Sequence, residues 1–182
     1  MINLINNGKG RVRIEFSVPA RTLIGYRDEF LTDTRGTGIM YSLFDGYGQF
    51  RGACPSRFTG SIVADRTGKA VAYALFNLEP RGRLFMVPGE PFYEGMIAGE
   101  HNRSQDIDVN PSKEKKLTNM RASGKDDNVI LSPIKPFTLE QAISFIRDDE
   151  LLEVTPQSVR MRKAVLTAQK RHLLRGAKMK SN

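Results

Sequence analysis

Tryptophan is missing from this sequence of 182 residues, and cysteine is reduced to Cys54 alone. One thiol excludes an intramolecular disulfide framework, and no group of cysteine and histidine has zinc-site spacing, so a reducing compartment is expected. No run approaches the roughly 18 to 20 apolar residues of a membrane span, and residues 1–7 lack the basic stretch and apolar run of a secretory signal. A cytoplasmic protein with no membrane partner is the expectation. No lysine stands in a P-loop: Lys9 leads into Gly10, Lys69 into Ala70 and Lys125 into Asp126, so none follows a glycine and precedes the serine or threonine that holds magnesium. The chain is therefore not expected to hydrolyse a nucleotide, and Gly36-Thr37-Gly38 reads as a turn rather than a dinucleotide fingerprint.

Candidates for other chemistry are equally sparse. His101 and His172 are the only imidazoles, with no carboxylate expected beside either, so both read as solvent-exposed. Cys54 needs a histidine partner to be a nucleophile and reads as an inert thiol. Asp148-Asp149-Glu150 reads as a solvated helix terminus, because three consecutive carboxylates do not converge on one face. No catalytic residue, metal ligand or cofactor is expected; a small hydrolase using Cys54 or His101 ranks last.

What the sequence does have is an uneven excess of positive charge. Its 28 Lys and Arg against 20 Asp and Glu give a formal charge of +8. From Pro156 onward there are eight basic residues and no acidic one, so residues 1–155 hold equal numbers of each sign. A dense basic tail on a neutral body favours a polyanion, because each Lys or Arg laid on a phosphate releases a condensed counterion. Arg160, Arg162 and Lys163 are candidate contacts on charge alone.

Strict alternation of Val12, Ile14, Phe16 and Val18 with Arg11, Arg13, Glu15 and Ser17 predicts a strand, paired as a hairpin with Ile2, Leu4 and Ile5. Leu23, Tyr26, Phe30 and Leu31 predict a helix over 22–33, and residues 39–47 a further strand. A linker-like stretch then sets an expected domain boundary between 1–50 and 51–182. In the second region, residues 61–65 and 70–76 predict another hairpin, with short strands at 84–87, 95–99, 129–131, 151–154 and 159–161. One clear helix is expected: Thr138-Leu139-Glu140-Gln141 is a capping box, followed by Ala142, Ile143 and Ile146 on an apolar face. A basic helix is expected from Thr167.

Residues 101–128 have no usable periodicity, and a loop that long in a compact domain is usually functional or disordered. Between 113 and 125, five basic residues stand against Glu114 alone, interleaved with Thr118, Asn119 and Ser123, which can hydrogen-bond phosphate, ribose or base edges. Loop and tail together favour nucleic acid. The competing class is a protein-interaction module with an acidic protein partner.

Several long motifs point further. Arg21-Thr22-Leu23-Ile24-Gly25-Tyr26-Arg27 and Gly36-Thr37-Gly38-Ile39-Met40, Gly68-Lys69-Ala70-Val71-Ala72-Tyr73, Tyr93-Glu94-Gly95-Met96-Ile97, Lys115-Lys116-Leu117-Thr118-Asn119-Met120-Arg121 and Thr138-Leu139-Glu140-Gln141-Ala142 resemble the BipA/TypA family of ribosome-binding translational GTPases. The resemblance covers nearly the whole chain. It implies an α+β fold: the C-terminal half of a ferredoxin-like domain of the elongation factor G type, over 1–50, then a strand-rich, barrel-like C-terminal domain with a long basic loop. The family's GTP-binding and β-barrel domains have no counterpart here, so the chain resembles a C-terminal fragment, with GTP and magnesium belonging to the full-length protein.

For that full-length protein the resemblance implies GTP-dependent ribosome binding, ribosome assembly and stress adaptation; for this piece, ribosome contact without catalysis. By position it implies that the loop meets large-subunit ribosomal RNA and A-site transfer RNA through Lys115, Lys116, Asn119 and Arg121, flanked by Lys113, Arg103 and Lys125. It also implies that the sheet of residues 1–50 lacks its first strand. The face of Ile14, Phe16 and Phe44 and the open strand edges would then suit a homodimer.

Overall fold

The computed structural model describes residues 1–50, 52, 57–115, 130–134 and 137–180, with the backbone alone at 175 and 177–180. Two compact units divide the chain, 1–56 and 57–182.

In the first unit, β1 (Asn3–Asn6) and β2 (Val12–Glu15) form an antiparallel hairpin in which Leu4 faces Ile14. The turn is set by Asn6, whose Oδ1 accepts the Gly8 N–H at 3.0 Å, and by Gly8 at φ 65°. A 3-10 turn, Ala20–Leu23, precedes α1 (Tyr26–Asp33). The helix stops in a Schellman arrangement: Arg35, at φ 51°, donates to Thr32 O, and Gly36 N donates to Leu31 O at 2.7 Å. Residues 39–47 are not a strand. Their β-favouring side chains join no sheet, since β1 and β2 pair only with each other, and Tyr41, Leu43, Phe44 and Tyr47 stand exposed. No described residue of this unit is buried.

The second unit carries the core. Its main sheet has four strands, β3 (Ser61–Ala64), β5 (Gly82–Leu84), β7 (Ile97–His101) and β8 (Ile107–Val109), in the order β5-β7-β3-β8. Only β3 and β8 run parallel. The edges β5 and β8 do not pair with each other, so the described strands form an open sheet and not the expected barrel. Two-stranded pairs complete the unit: β4 (Gly68–Lys69) with β6 (Pro91–Phe92), and β9 (Glu150–Val154) with β10 (Val159–Lys163).

The segment at 70–76 is not the second arm of a hairpin; Ala72–Leu78 is a helix, α2. Its apolar run joins no sheet, and β4 pairs with β6 instead. Two alanines and two leucines within seven residues also favour helix, and Ala74, Leu75 and Leu78 bury one face of it. A 3-10 turn, Glu79–Arg81, then leads into β5. The expected capping box exists at the start of α3 (Leu139–Phe145): Gln141 N donates to Thr138 Oγ1 and Thr138 N to Gln141 Oε1. The last helix, α4 (Ala168–Lys180), starts one residue after Thr167.

One apolar cluster joins Ile62, Leu75, Leu84, Met86, Phe92 and Met96 beneath α2. A second packs Ile97, Ala142, Phe145 and Met161 against Phe85 and Phe137, whose rings meet edge-on at 4.5 Å. Each fully buried aliphatic side chain here contributes about 1.5–3 kcal/mol.

Candidate nucleic-acid interface

The stretch 101–128 is not loop throughout, since β8 at Ile107–Val109 lies within it, added to the main sheet beside β3, and delivers the chain to the basic part of the loop. Directly after Val109, Asn110 Oδ1 accepts both Ser112 N and Ser112 Oγ, at 2.9 and 2.7 Å, a side-chain-built turn. Pro111 is fully buried, and its carbonyl accepts Val71 N at 2.9 Å at the threshold of α2. Lys113, Glu114 and Lys115 then emerge exposed from a fixed stem. Where the chain returns, Ser132 N donates to Glu79 Oε1 at 2.7 Å, and Leu131 and Ile134 pack on the core. Lys116, Asn119, Arg121 and Lys125 lie outside the described residues, as does Cys54.

The tail is anchored as firmly. Glu94 Oε1 accepts the Ala168 N–H at 2.8 Å, filling a donor that the first turn of α4 would leave open. Arg171, almost wholly buried, donates to the carbonyls of Val165 and Leu166 and to Asp108 Oδ1. His172 Nε2 lies 3.2 Å from Asp108 Oδ2, so this imidazole does have a carboxylate beside it, which the sequence order conceals. Asp108 sits in β8. The stem of the basic loop and the root of the basic tail are therefore held on one strand, with Lys113 five residues beyond the carboxylate that grips Arg171.

The three charged residues of β10 behave differently from the expectation of surface contacts. Lys163 is 1% exposed, and its Nζ lies 2.7 Å from Asp106, 2.9 Å from Asp149 and 2.8 Å from Glu150. It is a buried counter-charge and is not available to a phosphate. Burial alone would lower its pKa, but the hydrogen bonds to Asp106, Glu150 and Asp149 and the charge of Glu150 raise it. Glu150 also reverses the reading of 148–150 as a solvated terminus: its carboxylate accepts from Ser61 Oγ at 2.6 Å and Arg57 Nη2 at 2.7 Å. Burial pushes its pKa up, and Lys163, Ser61 and Arg57 together outweigh that and hold it low. Arg162 pairs with Glu153 at 2.7 Å, and Arg160 stands opposite the same Glu153 across the hairpin. Tyr93, whose hydroxyl donates to Glu153 Oε2 at 2.7 Å, has its pKa raised by burial and by that bond. Arg103 is exposed where the chain bends after β7.

Asp106 and Asp108 carry no sequence signal of their own roles, since a strand and a helix about sixty residues further along, β10 and α4, supply their cations. Among the described residues no group of His, Cys, Asp and Glu has metal-binding geometry, and no helix is long and apolar enough to cross a membrane.

The model of the TypA/BipA C-terminal domain matches residues 59–168, which is more than half of the chain. The chain belongs to the TypA/BipA family. The elongation factor G C-terminus model matches residues 1–63, and so covers the first unit. Two curated relatives named large ribosomal subunit assembly factor BipA, from Haemophilus influenzae and Escherichia coli, are 51% and 53% identical over 166 residues, 91% of this chain. The relative of that name from Buchnera aphidicola is 49% identical over 170 residues. The chain spans only 27–28% of the length of these relatives. Family matches account for residues 1–168, so this sequence holds no GTP-binding domain.

Proposed function

We propose that this chain is the ribosome-contacting C-terminal region of a TypA/BipA-type translational GTPase, and that its loop at 101–128 and its basic tail lie on RNA. Supporting this reading is one observation above others: Asp108 in β8 holds Arg171 of the tail while the same strand feeds Lys113 and Lys115. Two basic segments distant in sequence thus leave the body as neighbours, a geometry suited to a continuous polyanion.

By family resemblance the RNA is large-subunit ribosomal RNA together with A-site transfer RNA, met by Lys115, Lys116, Asn119 and Arg121, with Lys113, Arg103 and Lys125 flanking. The first unit is then half of a ferredoxin-like domain, and the activity of the full-length protein in the cytoplasm is GTP- and magnesium-dependent ribosome assembly, including under stress. The relatives' names, which specify large-subunit assembly, support the coarser part of this.

Co-sedimentation with purified ribosomes across a salt series tests the reading. Reversal of Lys115, Lys116 and Arg121 to Glu is expected to weaken binding and to flatten its salt dependence together. Equal binding by wild type and variant overturns it, as does binding that survives nuclease treatment, which would assign an acidic protein partner.

A second reading concerns the first unit alone. Leu4, Val12, Ile14 and Phe16 are each about half exposed around a hairpin with both edges open, which favours coverage by a second copy through strand edges. Sedimentation equilibrium showing a strict monomer at high concentration overturns it.

A further inference from the structure

The return of the basic loop leads to a cationic group at its root, two arginines outside residues 101–128 and Arg103 near their start. Ser132 is held by Glu79, the first residue of the 3-10 turn, and that turn ends at Arg81. Two residues on, Arg83 occupies β5, the edge strand of the main sheet. Asn102 N donates to Arg81 O at 2.9 Å, and Arg103 follows in the bend, where its carbonyl accepts Gly60 N. Strand pairing thereby brings 81, 83 and 103 to one end of the sheet.

All three side chains are exposed, and none has an ion-pair partner among the described residues. Glu79 and Glu100 hydrogen-bond to neutral donors and form no ion pair with the three arginines among the described residues. Glu79 accepts from Ser132 N, and Glu100, which faces Arg83 across the ladder, accepts the Thr59 hydroxyl at 2.6 Å. Arg57 and Arg147, by contrast, are consumed internally by Glu150 and Asp106. The Arg83 guanidinium rests 5.6 Å above the Phe137 ring, which limits its wandering. Asn102 Nδ2 donates to Pro80 O, fixing the amide beside Arg81.

We propose that Arg81, Arg83 and Arg103 form a second phosphate-anchoring site, which takes the RNA backbone where it runs off the loop onto the open edge of the main sheet. The inference rests on the RNA reading of the loop and adds a site to it. Guanidinium groups suit this task, since each presents a planar fork of donors to phosphate oxygens. Such contacts position the RNA without reading its sequence.

Binding of the full chain to purified large ribosomal subunits across a potassium chloride series, compared among wild type, Arg81→Gln/Arg83→Gln/Arg103→Gln and the loop reversal, decides it. The triple glutamine variant is expected to lose about ten- to a hundredfold in affinity at low salt. Its slope of log affinity against log salt should flatten by roughly 0.7–0.9 for each phosphate that is no longer neutralised. Arg83→Lys, which keeps the charge, controls for folding: it should retain most of the affinity, and all variants should melt as the wild type does. A triple glutamine variant with wild-type affinity and slope, beside a loop variant that fails, overturns the second site alone. Unchanged binding in both variants overturns the RNA reading itself. Loss of a nuclease-resistant interaction assigns the patch to an acidic protein and also overturns the proposal.

Discussion

Lys163 Nζ lies 2.8 Å from Glu150 Oε1, and the two residues are direct partners across the β9–β10 hairpin. Both side chains are essentially sealed from water. Their pairing ties the hairpin to β3 through Ser61, to the start of the second unit through Arg57 and to the segment before β8 through Asp106. A buried pair of this kind is costly to break from one side, because the survivor is left charged in a poorly solvated site.

Replacing Lys163 by Met is therefore expected to destabilise the second unit by about 3–5 kcal/mol. Urea unfolding followed by circular dichroism measures this. At a salt and temperature where the variant remains folded, its affinity for ribosomes should equal that of the wild type, since Lys163 does not reach the surface.

Acid should act through Glu150. Its folded pKa is depressed, so its contribution is fully present above the ordinary carboxylate pKa of about 4.3 and is lost as pH falls through the folded value. Unfolding free energy is expected to decline below about pH 4.3, and Glu150→Gln should remove that part of the slope. Denaturant titrations at a series of pH values test it; an unchanged slope in the variant refutes the assignment.

Asp108→Asn should loosen the root of α4 and leave the core intact. Arg171 would lose its charged acceptor and His172 its neighbour. Faster hydrogen exchange at residues 168–174, with protection of β3 and β7 unchanged, is the expected pattern.

Gly82→Ala should separate β5 from β7. An added Cβ would lie 1.8 Å from Glu100 O, and backbone on both sides cannot yield as a flexible side chain would. A loss of about 1–3 kcal/mol is expected in thermal or urea unfolding.

Thr138→Ala removes one half of the capping box, and about 1 kcal/mol of stability with it. Thr138→Ser, which keeps the hydroxyl, should restore most of the loss.

Local signals suffice wherever the chain satisfies itself nearby. The hairpin of β1 and β2, the Thr138 capping box, the separate strands β9 and β10 and the tail helix all depend on neighbours within a few residues, and all are legible in sequence. So is the concentration of positive charge in loop and tail. Residues 70–76 and 39–47 are not, because β propensity makes a strand only where tertiary pairing follows: the first segment buries its apolar face as a helix instead, and the second joins neither open edge of its hairpin. The charged residues divide in the same way. Sequence counts Lys163, Arg171 and Arg81 alike as cations, whereas the fold buries the first among three carboxylates, fastens the second to Asp108 and leaves the third on an open edge. Composition by itself determined that a cationic surface exists and which segments supply most of it. Only the tertiary structure decided which cations are neutralised internally, because that depends on carboxylates brought in from β8 and β9 by pairings that no local pattern encodes.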